Sequence, residues 1–373
     1  MMIAFRVDAS SQIGTGHVIR CLTLAEMLKS KGAHILFVCR EHSGNLCDLI
    51  ASKGFEVFSL RGEQNTETES APKTESIFNE SPLVHAPWLG VGQETDANQT
   101  LTALQGDAPW DWLIVDHYAL DYRWESAMRK VADKIMVIYD LADRKHECDL
   151  LLDQNYYNAL EKRYEGLVPE CCQTLLGPKY ALLRPVFRDI RGRLKRRNGK
   201  IKRILIFFGG MDITNETAKT LDAIDSIKLA DIIAIDVVVG SGNPHKNSIK
   251  ELCNPLPNVN YHCQVENMAE LMGMADLSIG GGGGATWERC CLMLPTLIIA
   301  LAFNQIEIAK GVSELGAAYY LGCSTDVTEE VISKSLHSLI VEESELLINM
   351  ISSSGALVDG KGANRVSNAI GVL

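Results

Sequence analysis

Short apolar segments that recur between helical ones constrain this chain more than any other feature. Residues 3–7 (Ile-Ala-Phe-Arg-Val), 35–39 (Ile-Leu-Phe-Val-Cys), 55–60, 112–116 and 135–139 each read as a strand, and most are apolar on both faces. A strand of that kind has to be covered above and below, which is the situation of a parallel strand between helical layers. Residues 18–31 supply such a layer: Ile19, Leu22, Leu24, Ala25 and Leu28 fall on one helical face, and Gly32 ends the run. Residues 46–52 predict a second, shorter helix ended by Gly54. The alternation predicts a doubly wound α/β domain. It begins again at residues 204–208 and continues through 232–239, 259–263, 277–279 and 296–300, so a second α/β domain of similar size is expected.

A chain of 373 residues suits two domains. The expected organisation is an N-terminal domain over residues 1–183, a basic linker over 184–200 and a C-terminal domain over 201–373. Residues 61–82 interrupt the first series with Ala71, Ile77 and Phe78 as their only apolar side chains, and read as a solvated insertion. Residues 184–203 hold ten Lys or Arg against one acid, Asp189. A nucleic-acid patch is one reading. With 36 basic against 47 acidic residues and a net charge of −11, a solvated linker is the better one, and no nucleic-acid partner is expected. Arg6 and Asp8 interrupt the first apolar run, and no segment is long and apolar enough for a membrane span, so neither a secretory leader nor a membrane partner is expected. Eleven scattered cysteines without a C-x-x-C pair make a poor disulfide framework and no zinc site. Cys39 and Cys263 lie in strand-like runs as small hydrophobes. A reduced, cytoplasmic monomer without metal or cofactor is expected.

Four segments sit where chemistry is expected, at the carboxyl ends of strands. In Gln12-Ile13-Gly14-Thr15-Gly16-His17, the glycines Gly14 and Gly16 let backbone approach a ligand, and the following helix offers unpaired N–H groups. Without a third glycine, a plain strand-to-helix turn is the competing reading. His17, facing a cleft as a neutral imidazole, has the chemistry of a general base, although a packed or capping histidine fits the same position. The run Gly280-Gly281-Gly282-Gly283-Gly284-Ala285-Thr286-Trp287-Glu288 carries five successive glycines, a heavy entropic cost for a plain connector. It reads as a phosphate cradle of backbone N–H groups, with Glu288 placed for ribose hydroxyls or merely favoured by the helix dipole. Asn304-Gln305 follows the next strand. Gly209-Gly210-Met211-Asp212 and Asp116-His117-Tyr118 complete the set, and ordinary turn chemistry accounts for either equally well.

Read in order, these residues resemble one family. The segment from Arg6 and Asp8 through Gly14, Gly16, His17 and Arg20 is similar to the N-terminal motif of the UDP-2,4-diacetamido-2,4,6-trideoxy-β-L-altropyranose hydrolases of pseudaminic acid biosynthesis. The likeness continues through His85-Ala86-Pro87-Trp88-Leu89-Gly90, Asp96-Ala97, Asp116-His117-Tyr118, Asp140-Leu141-Ala142-Asp143, Tyr180 to Arg184, Gly209 to Asp212, the glycine run with Thr286-Trp287-Glu288, and Asn304-Gln305. Departures fall near Gln93 and in the length of residues 61–82. The resemblance implies a GT-B fold, two Rossmann-like doubly wound domains facing across a cleft, similar to the N-acetylglucosamine transferase of peptidoglycan synthesis. It implies hydrolysis of a UDP-sugar at the anomeric carbon with inversion, without metal, to give a precursor of a nine-carbon sugar. It gives His17 the role of base and substrate contacts to Arg184 and Glu288, to which Asn304 and Tyr118 are added as expected contacts. Gly14, Gly16, Gly210, Gly282, Gly283 and Thr286 are the backbone and hydroxyl contacts expected beside them. A glycosyltransferase of the same fold and a non-catalytic nucleotide-sugar sensor remain alternatives, and the residues alone do not fix the sugar's stereochemistry.

Overall fold

Strand β1 (Met2–Val7) shows why the first unit folds as it does. Ile3, Phe5 and Val7 enter one buried cluster with Val18, Leu24, Ile114 and Met136, while Ala4 enters another with Val38, Leu113, Val115 and Val137. Alternate residues of one strand thus feed two cores, as a sheet covered on both faces requires. β1 pairs in parallel with β2 (His34–Arg40) on one side and β4 (Trp110–Asp116) on the other. The sheet is completed by β3 (Glu56–Leu60), β5 (Ala132–Ile138), β6 (Leu150–Asp153) and β7 (Gln173–Leu176), in the order β3-β2-β1-β4-β5-β6-β7. The second sheet holds β8 (Arg203–Phe207), β9 (Ala234–Val239), β10 (Val259–Cys263), β11 (Leu277–Gly281), β12 (Thr296–Ala300) and β13 (Tyr319–Cys323), in the order β10-β9-β8-β11-β12-β13. Both are parallel and both reverse direction once, between β1 and β4 and between β8 and β11. In open α/β sheets, ligands bind outside the carboxyl ends of the strands at that reversal.

This computed structural model describes residues 1–61, 83–106, 109–341 and 344–372. Apart from Arg61, the insertion expected at 61–82 lies outside the described residues. The rest divide into two compact units, one of residues 1–154, 159–182 and 363–373, the other of residues 155–158 and 183–362. The C-terminal segment was expected in the second domain and belongs to the first. Ala363, Val366 and Ile370 of helix Gly362–Ile370 join the core around β1, and Trp112 Nε1 donates to the Ile370 carbonyl at 3.1 Å. Helix Gly16–Ser30 begins two residues earlier than the apolar pattern suggests. β6, β7 and β13, four or five residues each, were not expected at all. Cys39 is buried as expected, but Cys263 is exposed because β10 is an edge strand.

The basic segment is not a solvated linker. Residues 184–200 fall in the second unit, and two of their arginines close helix C-termini. Arg191 donates to the carbonyls of Cys291 at 2.7 Å, Val358 at 2.8 Å and Gly355 at 2.9 Å. Arg197 donates to Ala275 and Met272, both at 2.9 Å, and to Leu292. These carbonyls lie at the ends of helices Met268–Met274, Ala285–Cys291 and Ser344–Leu357, where backbone acceptors lack partners and the dipole favours a cation. Burial pulls the Arg197 pKa down to about 10, which leaves it charged at neutral pH. Arg197→Leu would orphan several of these acceptors. At about 1–3 kcal/mol for each buried group left unpaired, the second unit should lose about 3 kcal/mol or more in urea unfolding. Lys195→Leu, at an exposed position without an ion pair among the described residues, should change it by less than about 0.5 kcal/mol.

Candidate active site

The loop after β1 is built to present His17. Ser10 Oγ accepts from the N–H groups of Gln12 at 3.1 Å and Ile13 at 2.9 Å, and the Gly14 N–H returns to the Ser10 carbonyl at 2.8 Å. Gly14 sits at φ +80°, where a side chain would be strained. The turn delivers the chain into helix Gly16–Ser30 with His17 as its second residue. His17 Nδ1 lies 2.6 Å from Oδ1 of Asp116, the last residue of β4. One helical turn on, Arg20 grips the same carboxylate with a two-pronged fork, Nε to Oδ2 and Nη2 to Oδ1, both at 2.6 Å. Asp116 is buried. Burial opposes its ionisation, but Arg20 and then His17 outweigh burial and hold it well below the usual carboxylate range. A carboxylate can accept only from an Nδ1–H, and in a neutral ring that tautomer leaves the lone pair on Nε2, the atom that could take a proton from a reacting group.

Tyr118 stands two residues beyond Asp116. Its ring meets that of His17 edge-on, centroids 4.8 Å apart at 88°, and its hydroxyl donates to Asp140 Oδ1 at 2.5 Å. Burial and Asp140 push the phenol well above its ordinary pKa, so it stays protonated. His117, between Asp116 and Tyr118, is committed elsewhere. It is buried, its Nδ1 accepts from the Ala119 N–H at 3.0 Å, and its Nε2 faces Asp8 Oδ2 at 3.3 Å. Asp8 belongs to a wholly buried charge network. Arg6 donates to Asp8 at 2.6 and 2.9 Å and to Asp96 at 2.7 and 3.1 Å, while Arg40 and Trp124 Nε1 reach Asp96 at 2.6 and 3.0 Å. It ties the ends of β1 and β2 to helices Gln93–Leu104 and Tyr122–Met128. The motif residues Arg6, Asp8 and Asp96 thus set the frame behind the site.

In the second unit the five glycines have different surroundings. A Cβ on Gly280 would lie 2.3 Å from the Phe207 carbonyl oxygen and 2.4 Å from Arg289 Nη1, so sheet packing demands this glycine. At Gly281 the carbonyl accepts from Arg289, which also donates to Thr286 Oγ1 at 3.1 Å. Gly282 donates its N–H to Gln305 Oε1 at 3.1 Å, and Gln305 also accepts from Leu301 N at 3.1 Å. Gly282 and Thr286, expected as ligand contacts, are therefore engaged within the protein by Gln305 and Arg289. Gly283 has only Gln305 Nε2 near its Cβ position, at 3.6 Å, and Gly284 has nothing within 4 Å. These two leave room for a ligand. Burial pulls Arg289 down to about 10, so it still serves as a charged clasp.

Glu288 is half-buried and makes no side-chain hydrogen bond among the described residues. Burial raises its carboxyl pKa, with Arg184 and then Arg289 opposing. Arg184 lies over the Phe187 ring at 5.4 Å and likewise has no hydrogen-bonded side-chain partner among the described residues. An acid and a base held near each other without being joined are suited to a ligand carrying both hydroxyls and phosphates. Asn304 is exposed in the first turn of helix Phe303–Glu314, and its neighbour Gln305 does the structural work. At the end of β8, Gly210 is exposed, whereas Asp212 caps the next helix, accepting from Glu216 N at 2.9 Å and Thr217 N at 3.0 Å. Among the described residues no group of three or more His, Cys, Asp or Glu side chains is placed to hold a metal ion, and no helix is long and apolar enough to cross a membrane.

Comparison with known proteins bears on the architecture that carries these residues. Residues 203–365 match the glycosyltransferase family 28 C-terminal domain. Over 316 residues, 85% of this chain and 97% of the other, the protein is 26% identical to the UDP-2,4-diacetamido-2,4,6-trideoxy-β-L-altropyranose hydrolase of Campylobacter jejuni. Over 191 residues, 51% of this chain and 56% of the other, it is 30% identical to spore coat polysaccharide biosynthesis protein SpsG of Bacillus subtilis. The crystal structure of Acinetobacter baumannii MurG aligns with a TM-score of 0.64 at 14% identity, covering 100% of this chain and 99% of that one. At such identity the likeness is one of architecture: two parallel, doubly wound sheets of seven and six strands, the GT-B fold.

Proposed function

We propose that this protein hydrolyses a UDP-linked 2,4-diacetamido-2,4,6-trideoxyhexose to UDP and the free sugar, a precursor of pseudaminic acid, with inversion at the anomeric carbon. The observation that carries this reading is the His17–Asp116 pair at the sheet reversal, with Nε2 of the imidazole left available. In the reaction, a water oxygen bonds to the anomeric carbon as the bond from that carbon to the pyrophosphate oxygen breaks. The water's proton passes to His17 Nε2, and the electron pair of the broken bond leaves with UDP. Asp116 holds the ring in the required tautomer and stabilises the imidazolium that forms, and Arg20 holds Asp116. Tyr118 flanks the reacting centre through its contact with His17. Arg184 suits the pyrophosphate and Glu288 the ribose hydroxyls, while the backbone at Gly283 and Gly284 takes the phosphates closely. Asn304 and Gly210, both exposed, are further substrate contacts, and Gly14 and Gly16 shape the turn that carries His17.

The match of residues 203–365 to a glycosyltransferase domain favours a second reading, in which the same base activates a hydroxyl of another molecule. Turnover in ¹⁸O-water separates the two. Label on the anomeric oxygen of the released sugar, with UDP formed over many turnovers, is the expected outcome. Label only on a UDP phosphate means attack at phosphorus and removes the mechanism. Stoichiometric binding without turnover points to a sensor.

His17→Asn keeps a hydrogen-bonding side chain but cannot take a proton near neutrality, and should lower kcat by about 10²–10⁴. Asp116→Asn should do likewise by releasing the tautomer. UDP inhibition should be nearly unchanged in both, whereas Glu288→Ala should weaken UDP and raise KM. The Asp116 pair also sets a pH dependence of stability. Its folded pKa is lowered from an unfolded value near about 3.9, so its contribution is fully present above about pH 4 and is lost as pH falls further. Arg20→Leu should cost about 3–5 kcal/mol near neutrality, as for breaking a buried pair. Denaturant titrations at successive pH values should show that gap closing below about pH 4, and a constant gap would remove the pair from the account.

A further inference from the structure

The Tyr118 ring beside His17 is part of a larger aromatic group that the hydrolytic steps do not use. Trp88 lies on the single-turn helix Ala86–Leu89, and His85 immediately precedes it. The His85 and Trp88 rings meet at 4.7 Å between centroids, His85 and Tyr118 at 5.3 Å, and Trp88 and Tyr118 at 5.8 Å. Leu89 is 1% exposed and anchors the turn in the core, and Gly90, at φ +76°, packs against His42. His85 and Trp88 are only half-buried, although they belong to the same turn. A tryptophan left partly open beside Tyr118, which itself meets His17, is an apolar surface in a place where a purely structural residue would be covered.

His85 adds no charge to this surface. Burial, and then the nearby Arg144, lowers its pKa from the ordinary histidine value, so the ring is neutral at neutral pH. Three uncharged rings present electron-rich faces, which attract the weakly positive hydrogens of C–H groups. A pyranose offers such groups on its exocyclic substituents. In a 2,4-diacetamido-2,4,6-trideoxyhexose, both acetamido groups and C6 end in methyls, whereas an ordinary hexose carries a hydroxymethyl at C5.

We propose that His85, Trp88 and Tyr118 form an aromatic wall that receives the methyl-bearing side of the sugar and makes the site selective for 6-deoxy over 6-hydroxymethyl sugars. This rests on the hydrolase reading above and names the part of the substrate that the first unit recognises. A hydroxymethyl against the wall would give up hydrogen bonds to water without replacement, while a methyl loses none. A pocket of this kind discriminates against an added hydroxyl by about 10²-fold.

The test compares wild type, Trp88→Ala and Trp88→Phe on the UDP-linked 2,4-diacetamido-2,4,6-trideoxy sugar and its 6-hydroxy counterpart. Wild type should prefer the 6-deoxy substrate by about 10²-fold in kcat/KM. In Trp88→Ala that ratio should fall to about 10-fold or less, through KM rather than kcat, while Trp88→Phe should keep most of it and UDP inhibition should be unchanged. A Trp88→Ala enzyme that is less active or less stable but keeps the wild-type ratio overturns the proposal and leaves Trp88 as packing for Tyr118. Saturation-transfer NMR with the free 6-deoxy sugar reads the wall without turnover. Transfer to the C6 methyl that is present in wild type and lost in Trp88→Ala supports it, and equal transfer in both overturns it. If wild type does not turn over the 6-deoxy substrate, the hydrolase reading fails, and the NMR comparison still decides whether the wall binds the sugar.

Discussion

A single buried carboxylate organises the candidate site of the first unit. Asp116 is removed from water at the end of β4, and an isolated charge there would be very costly. Arg20 and His17, one turn apart on the same helix, supply the compensation. The consequence is geometric. Because the carboxylate needs both partners, the histidine ring is fixed by a requirement of folding and not only by a weak preference of its own. Pinning the start of a helix to the end of a neighbouring strand is possible only at a sheet reversal, where β1 and β4 lie side by side and their following segments diverge.

The frame behind this pair has the same logic at larger scale. Arg6, Asp8, Asp96 and Arg40 place four charges in the core, and Trp124 adds a donor. Buried ion pairs of this sort seldom add net stability relative to well-packed apolar side chains. Their worth here is positional, since the network joins the end of β1, the end of β2 and two helices, and each bond has one satisfactory direction. Asp8 stands two residues before the turn that leads to His17, and His117 Nε2 rests against it. Two strand ends, two helices and the turn are thereby held in a common register. The apolar clusters on both faces of the sheet supply the stability that such a network does not.

Much of the fold was legible in the sequence because strands buried on both faces leave an unbroken apolar signature, as residues 3–7 and 135–139 do. The short strands β6, β7 and β13 leave too little pattern to separate them from loops, and helix Gly362–Ile370 declares its partner only through tertiary packing. The position of His17 could be read from the glycine turn before it. Its dependence on Asp116 could not, since the two are 99 residues apart and the link is a matter of strand order. In the basic segment the charge count was plain, but not that Arg191 and Arg197 are consumed by helix carbonyls. The glycine run misled in a more specific way. Its composition suggests one continuous cradle, whereas Gly280 answers to a neighbouring carbonyl, Gly281 to Arg289 and Gly282 to Gln305.

That division bears on how one fold serves different chemistries. Gly280, Gly281 and Gly282 are fixed by the sheet, by an arginine clasp and by a glutamine bridge, so the backbone up to Gly283 is set before any ligand arrives. A preorganised backbone of this kind needs no rearrangement to meet phosphate, and reorganisation avoided is binding energy retained. What can vary without disturbing it are side chains that make no hydrogen bond among the described residues, Glu288, Arg184 and Asn304 in the second unit, and the half-buried rings His85 and Trp88 in the first. Residues locked by packing set the architecture shared with remote relatives, and on the proposed reading the side chains left open to a ligand carry the choice of substrate. On the proposed hydrolase reading the acid–base chemistry falls to His17, which lies between these classes: its Nδ1 is bound to the frame through Asp116, and its Nε2 has no hydrogen-bond partner among the described residues.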